Sequence, residues 1–122
     1  MSKTFFLGVG AQKSGTTWLY NYLKQYPNFN FGSVKEYHVW DNIYGDGHLI
    51  NNPSKNNIIR DKIINGELQY EKYFSSLITD TVDSTGDMTP AYGGLKSTHF
   101  NLIKEKLESE GFNIKVIFLM RD

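Results

Sequence analysis

The stretch GAQKSGTTW, residues 10–18, gathers groups that hold an anion. Gly10 and Gly15 leave four residues between them, Thr16 and Thr17 supply two hydroxyl donors, and Lys13 supplies a mobile positive charge. Backbone amides in a glycine-bearing turn, with a helix N-terminus behind them, form a cradle for a phosphate-like group. Loops that bind nucleoside triphosphates carry their lysine directly after the second glycine. Here Thr16 stands at that place and Lys13 lies two residues before Gly15. With no ligand, the same residues make a tight strand-to-helix turn bearing an ordinary surface lysine.

A second chemical group lies in KEYHVWD, residues 35–41. Glu36 and His38 are two candidate bases one residue apart, with Asp41 close behind. On an extended stretch alternate positions share a face, so both side chains can point into one cleft. The competing reading makes Glu36 a solvated carboxylate and His38 a packed ring.

These residues need elements to position them. TFFLGV, residues 4–9, is a short apolar run with a glycine next to its end, the pattern of a buried parallel strand. From Thr16 the period becomes helical: Trp18, Leu19, Tyr22, Leu23 and Tyr26 recur at helix spacing until Pro27 stops them. A short strand is expected at 29–31 and a loop at 42–57. Helices are expected at 54–65, with Ile58, Ile59, Ile63 and Ile64 on one face, and at 67–78, with Tyr70, Tyr73, Phe74, Leu77 and Ile78. A polar strand follows at 81–87. Ser97 is placed to cap a helix carrying Phe100, Ile103 and Leu107, and Gly111 to end it. KVIFLM, residues 115–120, reads as a second buried strand. Alternating strands and helices imply an α/β layer around a parallel sheet, where ligands bind beyond the carboxyl ends of the strands.

The 122 residues suffice for at most one domain with a modest core. Thirteen basic side chains balance thirteen acidic ones, so no global field directs the chain to nucleic acid or an anionic membrane. The absence of cysteine removes disulfides and thiolate metal sites. The short apolar run at the start fits neither a signal peptide nor a membrane span, and a soluble, cytoplasmic protein is expected. The chain stops directly after the last strand, so the expectation is an N-terminal portion of a single domain, from a fragment or a truncated product.

KSGTTW resembles the loop of the sulfotransferases that use 3′-phosphoadenosine 5′-phosphosulfate (PAPS). In that family the loop holds the 5′-phosphosulfate, and its lysine stabilises charge on the bridging oxygen as sulfate leaves. The resemblance continues at three further places. KEYHVWD is similar to the Glu-x-His-Phe-Phe-Asp stretch of the carbohydrate enzymes, whose glutamate is the proposed base on the acceptor hydroxyl. GDMTPAY, residues 86–92, is similar to Glu-Lys-Thr-Pro-Ala-Tyr, with Met88 where many carbohydrate enzymes carry a lysine. VIFLMRD, residues 116–122, is similar to a strand followed by Leu-Arg-Asp-Pro, whose arginine binds the 3′-phosphate of PAPS.

The resemblance implies a fold of the P-loop-containing nucleoside triphosphate hydrolase type with its C-terminal part missing. It also implies in-line transfer of a sulfuryl group from PAPS to a hydroxyl or amine, with a small-molecule or carbohydrate acceptor. Donor-binding residues would be Lys13, Ser14, Gly15, Thr16, Thr17, Trp18 and Arg121. Glu36, Lys13 and His38 would be catalytic, with no metal. Two readings remain open for Trp18, a platform near adenine or a core residue. An ionised carboxylate is a base at neutral pH, whereas an imidazole must be kept neutral, so the proton goes to Glu36 and His38 supports it. The rival classes are an ATP- or GTP-dependent enzyme of kinase type and a truncated, non-catalytic nucleotide-binding fragment.

Overall fold

In a computed structural model, described for residues 2–10, 16–44 and 57–118, three strands pair in parallel. They are β1 (Lys3–Gly8), β2 (Ser84–Met88) and β3 (Phe112–Ile117), in the spatial order β2-β1-β3. Between β1 and β2 run α1 (Thr16–Leu23), α2 (Trp40–Tyr44), α3 (Ile58–Ile64) and α4 (Tyr70–Ser76). A 3-10 turn (Pro90–Gly94) and α5 (Ser97–Glu108) carry the chain from β2 across to β3. The expected α/β layer with a parallel sheet flanked by helices is present. Gly8 pairs in register with Met88 on one side and Ile117 on the other. The carboxyl ends of all three strands therefore share one edge.

Aromatic rings make up much of the core. Phe74 of α4 meets Phe5 of β1 edge-on at 4.9 Å and Tyr37 at 5.0 Å, and Tyr70 packs against Trp40 at 4.9 Å. Such edge-to-face pairs add about 0.5–1.5 kcal/mol each beyond area burial. Ile103 and Leu107 bring the apolar face of α5 into the same cluster. No helix among the described residues is long and apolar enough to cross a membrane.

Several local expectations are corrected. The helix after β1 ends at Leu23, short of Pro27, because the chain turns through 24–28. Its aromatic face is not core: Trp18 is 68% exposed, and Tyr22 and Tyr26 are exposed. The 29–31 strand is a single bridge from Phe29 to Ser84. Asn42 belongs to α2 rather than to a loop, and residues 45–56 lie outside the described residues. In α3, Ile59 and Ile63 pack on the core while Ile58 and Ile64 are exposed. The helix expected at 67–78 occupies Tyr70–Ser76.

The strand expected at 81–87 is Ser84–Met88, buried at every position despite its polarity; the Asp87 carboxylate finds four donors inside, whereas the Thr85 hydroxyl is buried without a partner among the described residues. Lys96, not Ser97, is the N-cap of α5, since Lys96 is extended and Ser97 is already helical. Gly111, at φ +89°, makes the turn from α5 into β3. β3 begins three residues earlier than expected. It is not buried on both faces: Val116 and Phe118 are exposed, and residues 119–122 lie outside the described residues.

Candidate functional site

The segment after α1 runs along the open side of β2 and then crosses its carboxyl end. Asn30 N–H donates to the Ser84 carbonyl at 2.9 Å, and Met88 N–H donates to the Lys35 carbonyl at 3.0 Å. From Lys35 onward the side chains alternate. Tyr37 and Val39 are fully buried, while Glu36 and His38 are partly exposed. The two apolar positions thus anchor the strip, and the two titratable ones come together on its other side.

The backbone of this strip is held at almost every polar atom. Tyr37 N–H donates to Asp87 Oδ1 at 3.1 Å, His38 N–H to Thr89 Oγ1 at 3.3 Å, and Val39 N–H to the Tyr92 hydroxyl at 3.1 Å. The Asn57 side-chain amide donates to the carbonyls of Glu36 (3.2 Å) and Tyr37 (2.9 Å). The Asn42 amide donates to the His38 carbonyl. These tethers hold His38 at φ +53°, a left-handed conformation that costs about 1–3 kcal/mol in a non-glycine residue.

Asp87 is the hub beneath the strip. It is fully buried, and each oxygen takes two donors. Tyr37 N–H and the Thr89 hydroxyl (2.6 Å) reach Oδ1; the Tyr70 (2.8 Å) and Tyr92 (2.6 Å) hydroxyls reach Oδ2. Burial pushes its carboxyl above the usual range, and these four bonds work against that rise. Although Asp87 lies near a strand end, its acceptor positions are filled by protein donors, which leaves none for a cation. Among the described residues no group of His, Asp and Glu is placed to hold a metal ion.

Above the hub, the His38 ring bridges two carboxylates. Nε2 lies 2.9 Å from Glu36 Oε1, and Nδ1 lies 2.7 Å from Asp41 Oδ2. Glu36 Oε2 accepts from Lys35 Nζ at 2.9 Å. Desolvation would lower the His38 pKa, but the bonds to Asp41 and Glu36 outweigh it and raise the pKa to about 9. At neutral pH the ring is therefore an imidazolium donating from both nitrogens. The His38 bond, against desolvation and with help from Lys35, holds Glu36 down at about 2. Asp41 is 2% exposed, and its Oδ1 is buried without a partner among the described residues.

The structure therefore brings Glu36, His38 and Asp41 into one hydrogen-bonded group at the carboxyl edge of the sheet. Thr17 and Trp18 lie exposed on α1, and the Trp18 ring stacks on Tyr22 at 5.6 Å, so Trp18 is not a core residue. Lys13, Ser14, Gly15 and Arg121 lie outside the described residues, as does the Thr16 side chain, although Thr16 opens α1. An apolar groove of about 300 Å³ between α5 and the sheet, lined by Leu7, Val9, Phe100, Ile114 and Val116, includes neither Glu36 nor His38.

Sequence reasoning assigned no role to Asp87, Thr89 or Tyr92, although all three stand in one quoted motif. The signal available was that motif's packing of an acid and two hydroxyls into six residues. Asn57 and Tyr70 carried no signal of their own, because their partners are 20 and 17 residues away. No family model and no curated protein matches the chain.

Proposed function

We propose that the chain is the donor-binding and proton-accepting part of a PAPS-dependent sulfotransferase of the P-loop type. The observation that carries this reading is the Glu36–His38–Asp41 group, hydrogen-bonded at 2.9 and 2.7 Å on the edge where an α/β sheet binds ligands. In sequence, the loop bearing Lys13 follows β1 and Arg121 follows β3, so both would contribute to that same edge.

PAPS supplies an activated sulfuryl group whose leaving group is a bisphosphate. Lys13, Ser14, Gly15, Thr16 and Thr17 would hold its 5′ end and Arg121 its 3′-phosphate, with Trp18 near the adenine. Glu36 accepts the proton of the attacking hydroxyl or amine. His38, charged at neutral pH, is a poor base but a good positioning donor, and Asp41 fixes its other nitrogen. General-base assistance of this kind is worth about 10²- to 10⁴-fold.

The test measures sulfuryl transfer from labelled PAPS to sugar, phenol, alcohol and amine acceptors, with and without chelator. Calorimetry compares adenosine 3′,5′-bisphosphate with ATP. Transfer that persists in chelator, with the bisphosphate bound more tightly, is the expected result. Preference for ATP together with a requirement for Mg²⁺ would replace this reading with a kinase-type one, and binding without transfer to any acceptor would favour a non-catalytic fragment.

A further inference from the structure

One buried side chain outside the Glu36–His38–Asp41 group joins that group to a helix. Asn57 is 3% exposed and is the N-cap of α3. Its Oδ1 accepts from Arg60 N–H at 3.1 Å, which satisfies an amide at the helix start. Its Nδ2 has two hydrogens to give. It donates to the Glu36 carbonyl at 3.2 Å and to the Tyr37 carbonyl at 2.9 Å. A reversed amide would set its oxygen against both carbonyls, so the network fixes which atom is which.

The two carbonyls belong to consecutive peptide units whose N–H groups are also held. Tyr37 N–H, in plane with the Glu36 carbonyl, donates to Asp87 Oδ1. His38 N–H, in plane with the Tyr37 carbonyl, donates to Thr89 Oγ1. Each planar unit is thus fixed at both ends, its N–H by Asp87 or Thr89 and its C=O by the start of α3. The orientation of the second unit sets φ of His38, which stands at +53°. A non-glycine residue leaves that conformation when nothing holds it, because negative φ is lower in energy. Turning the plane back would carry the imidazole out from between Glu36 and Asp41.

Capping alone does not account for this side chain. Ser and Asp cap a helix about as well as Asn does, and α3 is also held by Ile59 and Ile63, which pack on the core. The amide combines the acceptor that α3 needs with donors for two carbonyls.

We propose that Asn57 is a positioning residue, which clamps the carbonyl side of the strip, keeps His38 between Glu36 and Asp41, and ties that geometry to the docking of α3. The chemical roles of Glu36 and His38 rest on the sulfotransferase reading above; the geometry that Asn57 holds does not. The charged and titratable groups around the His38 ring are Glu36 and Asp41 directly, Lys35 beside Glu36, and Asp87 with Tyr92 beneath the strip. Asn57 carries no charge and bonds the strip only at backbone carbonyls, so it acts on the His38 titration through the backbone.

The test uses the whole chain. Asn57→Ser and Asn57→Thr keep a capping hydroxyl for α3 without the amide donors. Lys62→Gly, at an exposed position inside α3, weakens the helix and leaves Asn57 in place. The His38 ring is titrated by NMR, and kcat for sulfuryl transfer from PAPS is measured beside affinity for adenosine 3′,5′-bisphosphate. Asn57→Ser and Asn57→Thr should move the His38 titration below about 9. They should lower kcat about 10-fold, the worth of one or two neutral hydrogen bonds, with bisphosphate affinity unchanged. Lys62→Gly should lower the urea midpoint and leave the His38 titration where it was. If His38 titrates in both Asn57 variants as it does in wild type, Asn57 is a helix cap and nothing more, and the clamp is refuted. If the wild-type chain transfers no sulfate but the Asn57 variants move the His38 titration, the sulfotransferase reading falls and the clamp stands.

Discussion

Replacing Asp87 by Asn tests whether the buried hub holds the site. The substitution keeps the shape of the side chain but puts an amide N–H₂ where one carboxylate oxygen accepts two donors. Whichever way the amide turns, two of the four donors to Asp87 face another donor. On the Oδ2 side, the Tyr70 hydroxyl can rotate and accept. The Tyr92 hydroxyl already accepts from Val39 N–H, so its own proton loses its partner. The bonds that survive become neutral, and charge-assisted bonds are worth about 1.5–3 kcal/mol against about 1 for neutral ones.

Losing one bond and weakening two others, offset by no longer burying a charge, gives a net cost of about 2–4 kcal/mol. Urea denaturation followed by tryptophan fluorescence should show this as a midpoint lower by about 1–2 M, given a slope of about 1–3 kcal/mol per molar. Because Tyr37 and His38 are tethered through Asp87 and Thr89, the His38 titration should also fall from about 9 toward the free value. A variant that stays within about 0.5 kcal/mol of wild type and leaves the His38 titration unmoved would refute the hub.

Glu36→Gln should lower kcat for sulfuryl transfer about 10²- to 10⁴-fold with bisphosphate affinity nearly unchanged; a His38→Ala variant that abolishes turnover while Glu36→Gln stays within a few-fold would reverse the roles. The pair also predicts how stability varies with pH. Glu36, lowered from 4.5 to about 2, contributes stability above pH 4.5 that is lost as the pH falls toward 2. His38, raised from 6.5 to about 9, contributes stability below pH 6.5 that is lost as the pH rises through 9. Relative to His38→Gln, the wild-type advantage should therefore be greatest between about pH 4.5 and 6.5, and a difference independent of pH in denaturation series would contradict the pairing. Gly32→Ala should destabilise by about 1–3 kcal/mol in the same assay, because Gly32 sits at φ +79° and a Cβ would lie 2.3 Å from the hydroxyls of Tyr37 and Tyr73.

The sequence by itself determined the layer and the neighbourhood of the chemistry. A short apolar run, a change of period at Thr16 and a second apolar run near the end sufficed for a parallel α/β sheet, because strand and helix periods are local properties of the chain. Alternation along residues 36–39 sufficed to put Glu36 and His38 on one side, because Tyr37 and Val39 must be buried on the other. Tertiary structure decided the rest. Trp18, Tyr22 and Tyr26 have helical spacing, but spacing cannot say which face of a helix meets the core, and this one faces outward. In the polar segment Ser84–Met88, the acid Asp87 can be buried because Tyr37, Tyr70, Thr89 and Tyr92 bring donors to it from three stretches of the chain. The protonation states of Glu36 and His38 likewise depend on distances of 2.7–2.9 Å between side chains, which only the folded chain sets.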